Sequence, residues 1–103
     1  YCTPASVDSI VSSKGQEDHV SMAANAGTKG YKVLSNLKSI LAIELMTAAQ
    51  AIEFRRPAKT TAALEKMIAE IRSEIPTLEE DRLMHDDMVK AENLIEKWVT
   101  QSV

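Results

Sequence analysis

The sequence is poor in cysteine and in aromatic side chains. Cys2 is the only cysteine among the 103 residues, so no disulfide can form within the chain. That absence fits a reducing compartment and predicts a cytoplasmic protein. Aromatic residues make up 4% of the chain, so a hydrophobic core has to be built mainly from Leu, Ile, Val, Ala and Met.

Charge and hydropathy argue against two classes of partner. The chain has no run of about 18 apolar residues free of charge, so no membrane-spanning segment is expected. Its net charge is -3, from 12 Lys and Arg against 15 Asp and Glu. A slightly acidic chain offers no electrostatic reason to expect binding to nucleic acid or to an anionic membrane.

Metal-ligand spacings are also missing from the sequence. Di-metal carboxylate bundles use Glu-x-x-His on inward helix faces. The residues three positions before His19 and His85 are Gln16 and Arg82. Neither CxxC nor HExxH occurs, and therefore no metal site is predicted.

The apolar residues that are present follow a helical period, and strand-like alternation is absent. The pattern predicts one long central helix over about 15–55, or 15–56 at its widest, ended by Pro57. Gly27 and Gly30 each disfavour a helix by roughly 1 kcal/mol relative to Ala, so both a continuous helix and one kinked near 27–30 fit the pattern. The buried stripe of this helix consists of Leu34, Leu37, Leu41, Leu45, Ala48 and Ile52.

Shorter segments flank the long helix, and together they make the predicted fold all-α. Thr77 and Glu80 have the spacing of a capping box, which predicts a short helix after Pro76. The expected order is an irregular lead-in over 1–14, the long helix, a helix over 61–75, a short helix over 77–83 and a last helix over 86–100.

The length and apolarity of the central helix do not fit an independent domain. At 1.5 Å per residue it would be roughly 60 Å long, whereas each main flanking helix would be about 22 Å. Between Ile40 and Ile52 the only charged residue is Glu44. A surface so apolar is normally covered by other protein. We therefore expect the chain to be part of a larger helical bundle, an oligomer, or both.

A polar cluster, Gln16-Glu17-Asp18-His19, lies at the predicted start of the long helix. Ser13 and Gln16 have capping-box spacing there, and carboxylates in the first turn are stabilised by the helix dipole. Consecutive side chains on a helix point about 100° apart, so only one or two of the four can face a common site. Spacing alone thus favours an ordinary helix cap over a catalytic site.

Several longer strings closely resemble the C-terminal part of the histidine ammonia-lyases, of the aromatic amino acid lyase family. The most specific is Gln-Glu-Asp-His-Val-Ser-Met, beginning at Gln16. The resemblance covers nearly the whole chain in order. Its other parts are Pro-Ala-Ser-Val-Asp-Ser-Ile from Pro4, Leu-Ala-Ile-Glu-Leu from Leu41, Ala-Ala-Gln-Ala from Ala48, Phe-Arg-Arg-Pro from Phe54 and Leu-Glu-Glu-Asp-Arg from Leu78.

The resemblance implies a mostly helical homotetramer that eliminates ammonia from L-histidine to give urocanate, in histidine degradation. It also implies a methylidene-imidazolone cofactor formed from an internal Ala-Ser-Gly. That tripeptide is absent from this chain. The chain is accordingly expected to be the C-terminal segment (1–103) of a longer lyase, and to be inactive by itself.

By resemblance, Glu17 is the catalytic residue and also contacts substrate, with Gln16 as a substrate-binding neighbour. Asp18 and His19 are expected to support the helix start. The chain departs from the family pattern at Lys14-Gly15, usually Ala-Asn, and at Ala23, usually Gly. Related lyases that act on tyrosine or phenylalanine differ in this same region. Glu17 favours histidine, because a carboxylate can accept a hydrogen bond from an imidazole N–H.

A stand-alone helical interaction module, without chemistry of its own, is the alternative function.

Overall fold

The computed structural model describes residues 10–18 and 20–101. Within these ranges the chain contains helices and no strands, which confirms the all-α prediction. A 3-10 turn at Ser13–Gly15 is followed by α1 (Ala23–Glu53), α2 (Ala62–Glu74) and α3 (Met84–Gln101). The chain divides into two compact units, Tyr1–Asn36 and Leu37–Val103, and α1 contributes residues to both. Most of the predicted lead-in lies outside the described residues.

The long helix begins later than the sequence predicts, at Ala23 rather than at Gly15. Ser13, Lys14 and Gly15 have φ values of +51°, +55° and +84°, in the left-handed region that a right-handed helix cannot use. The backbone N–H of Gln16 donates to the Ser13 carbonyl at 3.2 Å, closing a tight turn. The predicted Ser13–Gln16 capping box is therefore wrong.

The two glycines do not interrupt α1, which continues through Gly27 and Gly30 to Glu53. Each glycine costs roughly 1 kcal/mol relative to Ala, a penalty that a long run of good helix formers can absorb. After Glu53 the chain leaves α-geometry, because the N–H groups of Arg55 and Arg56 bond to carbonyls three residues back, at 2.9 and 3.2 Å. The helix thus ends before Pro57 and short of the predicted residue 56.

A paired arginine and glutamate fix the turn between α1 and α2. Arg56 donates from both terminal nitrogens to the two carboxylate oxygens of Glu65, each at 2.9 Å. Glu65 also accepts from the backbone N–H of Thr60 at 2.9 Å. Thr61 caps α2 by accepting from the Leu64 N–H at 3.4 Å. The helix occupies Ala62–Glu74 where the sequence predicts 61–75.

The predicted short helix at 77–83 is wrong, because the structure has a non-helical connector there, with a bend at Glu79 and Glu80. Arg82 donates to the carbonyls of Pro76 and Thr77 at 2.7 and 3.2 Å. The side-chain amide of Gln50 bonds to both the N–H and the carbonyl of Leu78, at 3.1 and 3.0 Å. Side chains thus satisfy the backbone groups that a helix would have paired internally. The Thr77–Glu80 capping box is wrong for the same reason. The last helix, α3, occupies Met84–Gln101 where 86–100 is predicted.

The core of the second unit is built on alanines. Ala42 and Ala91 have no exposed surface, and Ala49 is 2% exposed. These small side chains belong to one buried cluster with Ile71, Ile75 and Leu94. Because Ala42 and Ala91 are completely covered by their neighbours, a larger side chain at either position would have to displace packed atoms.

Polar contacts hold α3 against the other two helices of this unit. Lys38 pairs with Glu96 at 3.0 Å, and Ser39 donates to Glu92 at 2.6 Å. From α2, Glu70 accepts hydrogen bonds from Lys97 and from the indole N–H of Trp98. Contacts of this kind are individually weak, and their main effect is to fix which faces of the helices meet.

Replacing Ala91 with Leu should destabilise the second unit by about 1–3 kcal/mol, because the buried site has no space for the added atoms. Urea unfolding followed by circular dichroism measures the change. Ala69, which is exposed on α2, provides the matched control: Ala69→Leu should leave the unfolding free energy nearly unchanged. Equal effects of the two substitutions would contradict the tight alanine packing.

The Glu70 contacts predict a pH dependence. The hydrogen bond from Lys97, and then the one from Trp98, lower the pKa of Glu70 from its ordinary value of 4.5. Because the folded-state pKa is the lower one, this stabilisation is complete above the ordinary value and is lost as pH falls through the folded-state pKa. Trp98 is the only tryptophan. Its fluorescence should therefore change in a transition centred below pH 4.5.

The variant Glu70→Gln should remove most of that fluorescence transition, since it has no carboxylate to protonate. Glu74→Gln, an exposed site at the end of α2, is the matched control and should retain it. Retention of the transition in Glu70→Gln would show that another group controls the Trp98 environment.

Candidate functional site

Gln16 and Glu17 lie in the non-helical segment between the 3-10 turn and α1, and both are exposed. The fold keeps them adjacent without placing them on a helix face. Asp18 follows in a bend and is exposed as well. The prediction that His19 supports the helix start lies outside the described residues.

The helix-dipole expectation for Glu17 and Asp18 is wrong. The first turn of α1 contains no acidic residue, and Glu17 precedes the helix by more than a turn. Local contacts at this helix start come from other side chains. The Ser21 hydroxyl accepts from the Ala23 N–H at 3.4 Å, and Asn25 donates to the Met22 sulfur at 3.6 Å. The carboxylate of Glu17 is thus displayed on a loop.

A second feature, absent from the sequence predictions, is an open cleft of about 510 Å³ in the second unit. We call it the methionine groove. It is bordered by the C-terminal part of α1, the connector after α2 and the start of α3. Its apolar lining includes Met46, Phe54, Ile75, Leu78, Met84 and Met88. Spacing could identify these residues as apolar, but it could not show that they leave a groove between them.

Two arginines border the methionine groove, and both are held by carboxylates. Arg72 donates to Glu53 at 3.1 Å and to the Ile75 carbonyl at 3.2 Å. Arg82 donates to the buried Asp87 at 2.8 Å. The hydrogen bond from Arg72 is the largest cause that lowers the pKa of Glu53 from its ordinary value, and the charges of Arg72 and Arg56 act in the same direction. Glu53 is therefore ionised at neutral pH.

One atom of this arrangement is unsatisfied. Nη2 of Arg72 is buried and has no hydrogen-bond acceptor among the described residues. A buried donor without an acceptor usually costs about 1–3 kcal/mol. The geometry accounts for the other groups of Arg72 and offers no physical reason for this one.

The described residues offer no metal-binding cluster of three or more His, Cys, Asp or Glu side chains. In the same part of the chain, no helix is long and apolar enough to cross a membrane. The sequence contains no Ala-Ser-Gly, the tripeptide from which the family resemblance implies that a methylidene-imidazolone is formed.

Comparison with known proteins relates this chain to one enzyme family. Residues 1–73 match the family model described as aromatic amino acid lyase. A histidine ammonia-lyase from Anaeromyxobacter sp. (strain K) is 44% identical over 96 residues, which are 93% of this chain and 19% of that protein. One from Stigmatella aurantiaca is 48% identical over 93 residues, 90% of this chain and 18% of that protein.

A solved structure agrees with the sequence comparison. The crystal structure of histidine ammonia-lyase from Trypanosoma cruzi superimposes with a TM-score of 0.84 at 43% identity, over 95% of this chain and 19% of that one. This chain spans about a fifth of the length of the curated relatives that it matches. The family match covers more than half of the residues, and the chain therefore belongs to the aromatic amino acid lyase family.

Proposed function

We propose that this chain is the C-terminal helical segment of a cytoplasmic histidine ammonia-lyase, which eliminates ammonia from L-histidine to give urocanate. The observation that supports this most strongly is identity of 44% and 48% to two histidine ammonia-lyases over nine-tenths or more of the chain. The matched part is about a fifth of each relative. The segment alone should be inactive, because the cofactor and the other active-site groups would come from the remainder of the enzyme.

In this proposal Glu17 contacts the substrate. The methylidene-imidazolone, formed outside this chain, would supply the electrophile. The proton on the substrate Cβ is weakly acidic, so its removal requires an acceptor placed within hydrogen-bonding distance. The Glu17 side chain can serve as that acceptor or can accept a hydrogen bond from the imidazole N–H of histidine. The adjacent amide of Gln16 can donate and accept hydrogen bonds to polar groups of the same substrate.

The chemistry of the histidine side chain favours L-histidine over related amino acids as the substrate. Phenylalanine has no polar hydrogen on its ring for Glu17 to bind, and a carboxylate left without a partner in a closed site is unfavourable. A lyase acting on another aromatic amino acid is the alternative within the family. Urocanate formation, measured against cinnamate and coumarate formation by the same full-length protein, separates the two.

We further propose that α1 takes part in a homotetramer of the parent enzyme. Large apolar side chains outside the methionine groove are exposed along both parts of this helix: Tyr31, Leu34, Leu37, Ile40 and Leu41. Tyr31 is 78% exposed. Apolar surface of this extent on one helix is typical of a protein interface.

The alternative function is a stand-alone helical interaction module, which the same exposed surface would also suit. The coding sequence upstream of Tyr1 distinguishes the two hypotheses. An Ala-Ser-Gly in an upstream lyase domain is expected if the chain belongs to an enzyme. A complete upstream sequence without that tripeptide would overturn the enzyme proposal.

In the full-length lyase, Glu17→Gln should lower kcat for urocanate formation by about 10²–10⁴-fold, the usual contribution of a positioned acid or base. The substitution keeps the shape of the side chain and removes its charge. Spectrophotometric urocanate assays give kcat, and size-exclusion chromatography should show unchanged assembly.

The control for this experiment is Glu74→Gln, the same chemical change at an exposed site on α2. It should retain wild-type turnover. Wild-type turnover in Glu17→Gln as well would remove Glu17 from the catalytic machinery, without affecting the family assignment.

The isolated 103-residue chain should self-associate, because Leu37, Ile40 and Leu41 remain exposed on α1. Analytical ultracentrifugation across a range of concentrations measures the association. A monomer that persists at high concentration would contradict the requirement that this surface be covered by other protein.

A further inference from the structure

The methionine groove has a chemistry of its own, distinct from the segment that carries Glu17. All of its lining residues belong to the second unit. Phe54, at one edge, leaves 79% of its surface exposed. Methionine side chains are flexible and polarisable, and they pack well against irregular apolar partners. An exposed cleft of this composition is typical of a binding site for an apolar group.

Apart from the buried Nη2 of Arg72, the polar groups of the arginines and of Gln50 around the groove already have partners within the unit. Arg82 is paired with Asp87, and Arg72 with Glu53. Both ends of the Gln50 amide bond to the Leu78 backbone. An occupant therefore needs no charge to complement the groove, and a charged one would lose hydration without gaining a new ion pair.

The size of the groove indicates how many side chains it can hold. A dry protein cavity of about 150 Å³ accommodates one benzene-sized group. The methionine groove, an open cleft of about 510 Å³, thus has room for more than one such group. Several apolar anchors are what one face of an amphipathic helix presents when its apolar side chains recur every three or four residues.

A second copy of this chain could fill the groove only under an added requirement. A two-fold interface brings the same patch of each subunit together, so that patch would have to carry a projecting apolar element as well as the groove. The relatives, by contrast, contain roughly four-fifths of their length beyond the part that this chain matches.

We propose that the methionine groove seats an apolar helix from the part of the same lyase polypeptide that lies outside this chain. This inference rests on the proposed function, because it requires the rest of the lyase. It identifies the groove as an intrachain packing surface, separate from the subunit contacts proposed for α1. The groove would then join this segment to the remainder of its own subunit.

Photo-cross-linking in the full-length lyase tests the proposal. Benzoylphenylalanine is placed at Ala51, which lines the groove and is exposed in the isolated chain. Irradiation should join the Ala51 peptide to a peptide that precedes Tyr1. The product should run at monomer mass on a denaturing gel, with loss of the uncross-linked Ala51 peptide in mass spectrometry. Thr47, also exposed and in the groove, is the second labelling position if the Ala51 variant fails to accumulate.

The control carries the same label at Glu79, on the exposed connector outside the groove, and should give no specific cross-link. A product at dimer mass would show that another subunit fills the groove, and absence of cross-linking at both groove positions would show that it stays open or holds a small molecule. Each of these results overturns the proposal. Urocanate formation by the same preparations separates the groove proposal from the proposed function. An active lyase without the intrachain cross-link refutes the groove assignment alone. A full-length protein that forms no urocanate refutes the proposed function.

Discussion

The organisation of this chain depends on one constraint: α1 has more apolar surface than α2 and α3 can cover. The flanking helices bury Ala42 and Ala49 on one side of α1, and they leave Ile40 and Leu41 about half exposed. The most completely buried positions carry alanine, so the core between the helices is narrow. A narrow core protects little of a long helix. The remaining apolar surface is therefore available for interfaces.

The connections around this core are determined by side chains that bond to the backbone. Arg82 and Gln50 bond to backbone groups of the non-helical connector after α2, and Glu65, paired with Arg56, accepts from the Thr60 N–H in the turn between α1 and α2. Each of these side chains supplies partners to carbonyl or N–H groups that would otherwise favour a local helix or bind water. Because Arg82 also binds the buried Asp87, the same contact joins the connector to the first turn of α3.

These contacts explain which parts of the fold could be predicted from the sequence. The bodies of the three helices follow from apolar spacing, and Pro57 and Pro76 lie beyond the ends of α1 and α2. The capping-box pairs gave wrong predictions because their spacing is a local signal. At Ser13 the chain adopts left-handed backbone angles, and at Thr77 the carbonyl accepts from Arg82, five residues along the chain. Neither feature can be read from the spacing of the two capping residues. The methionine groove could not be predicted either, since it depends on gaps between elements and not on the apolarity of any one of them.

The helices could be predicted from apolar spacing, whereas the candidate site could be predicted only from the family resemblance. Spacing favoured a helix cap, and only the family resemblance distinguished Glu17 from its neighbours. In the structure Glu17 is exposed on a loop ahead of α1, where helix geometry does not fix its direction. Efficient catalysis requires a carboxylate held within about 0.5 Å of its productive position by surrounding groups. If Glu17 acts in the lyase, that precision has to come from protein packed around the loop in the complete enzyme. The segment would then be catalytically useful only within the assembled enzyme. Other protein would be needed both to position Glu17 and to cover the apolar surface of α1.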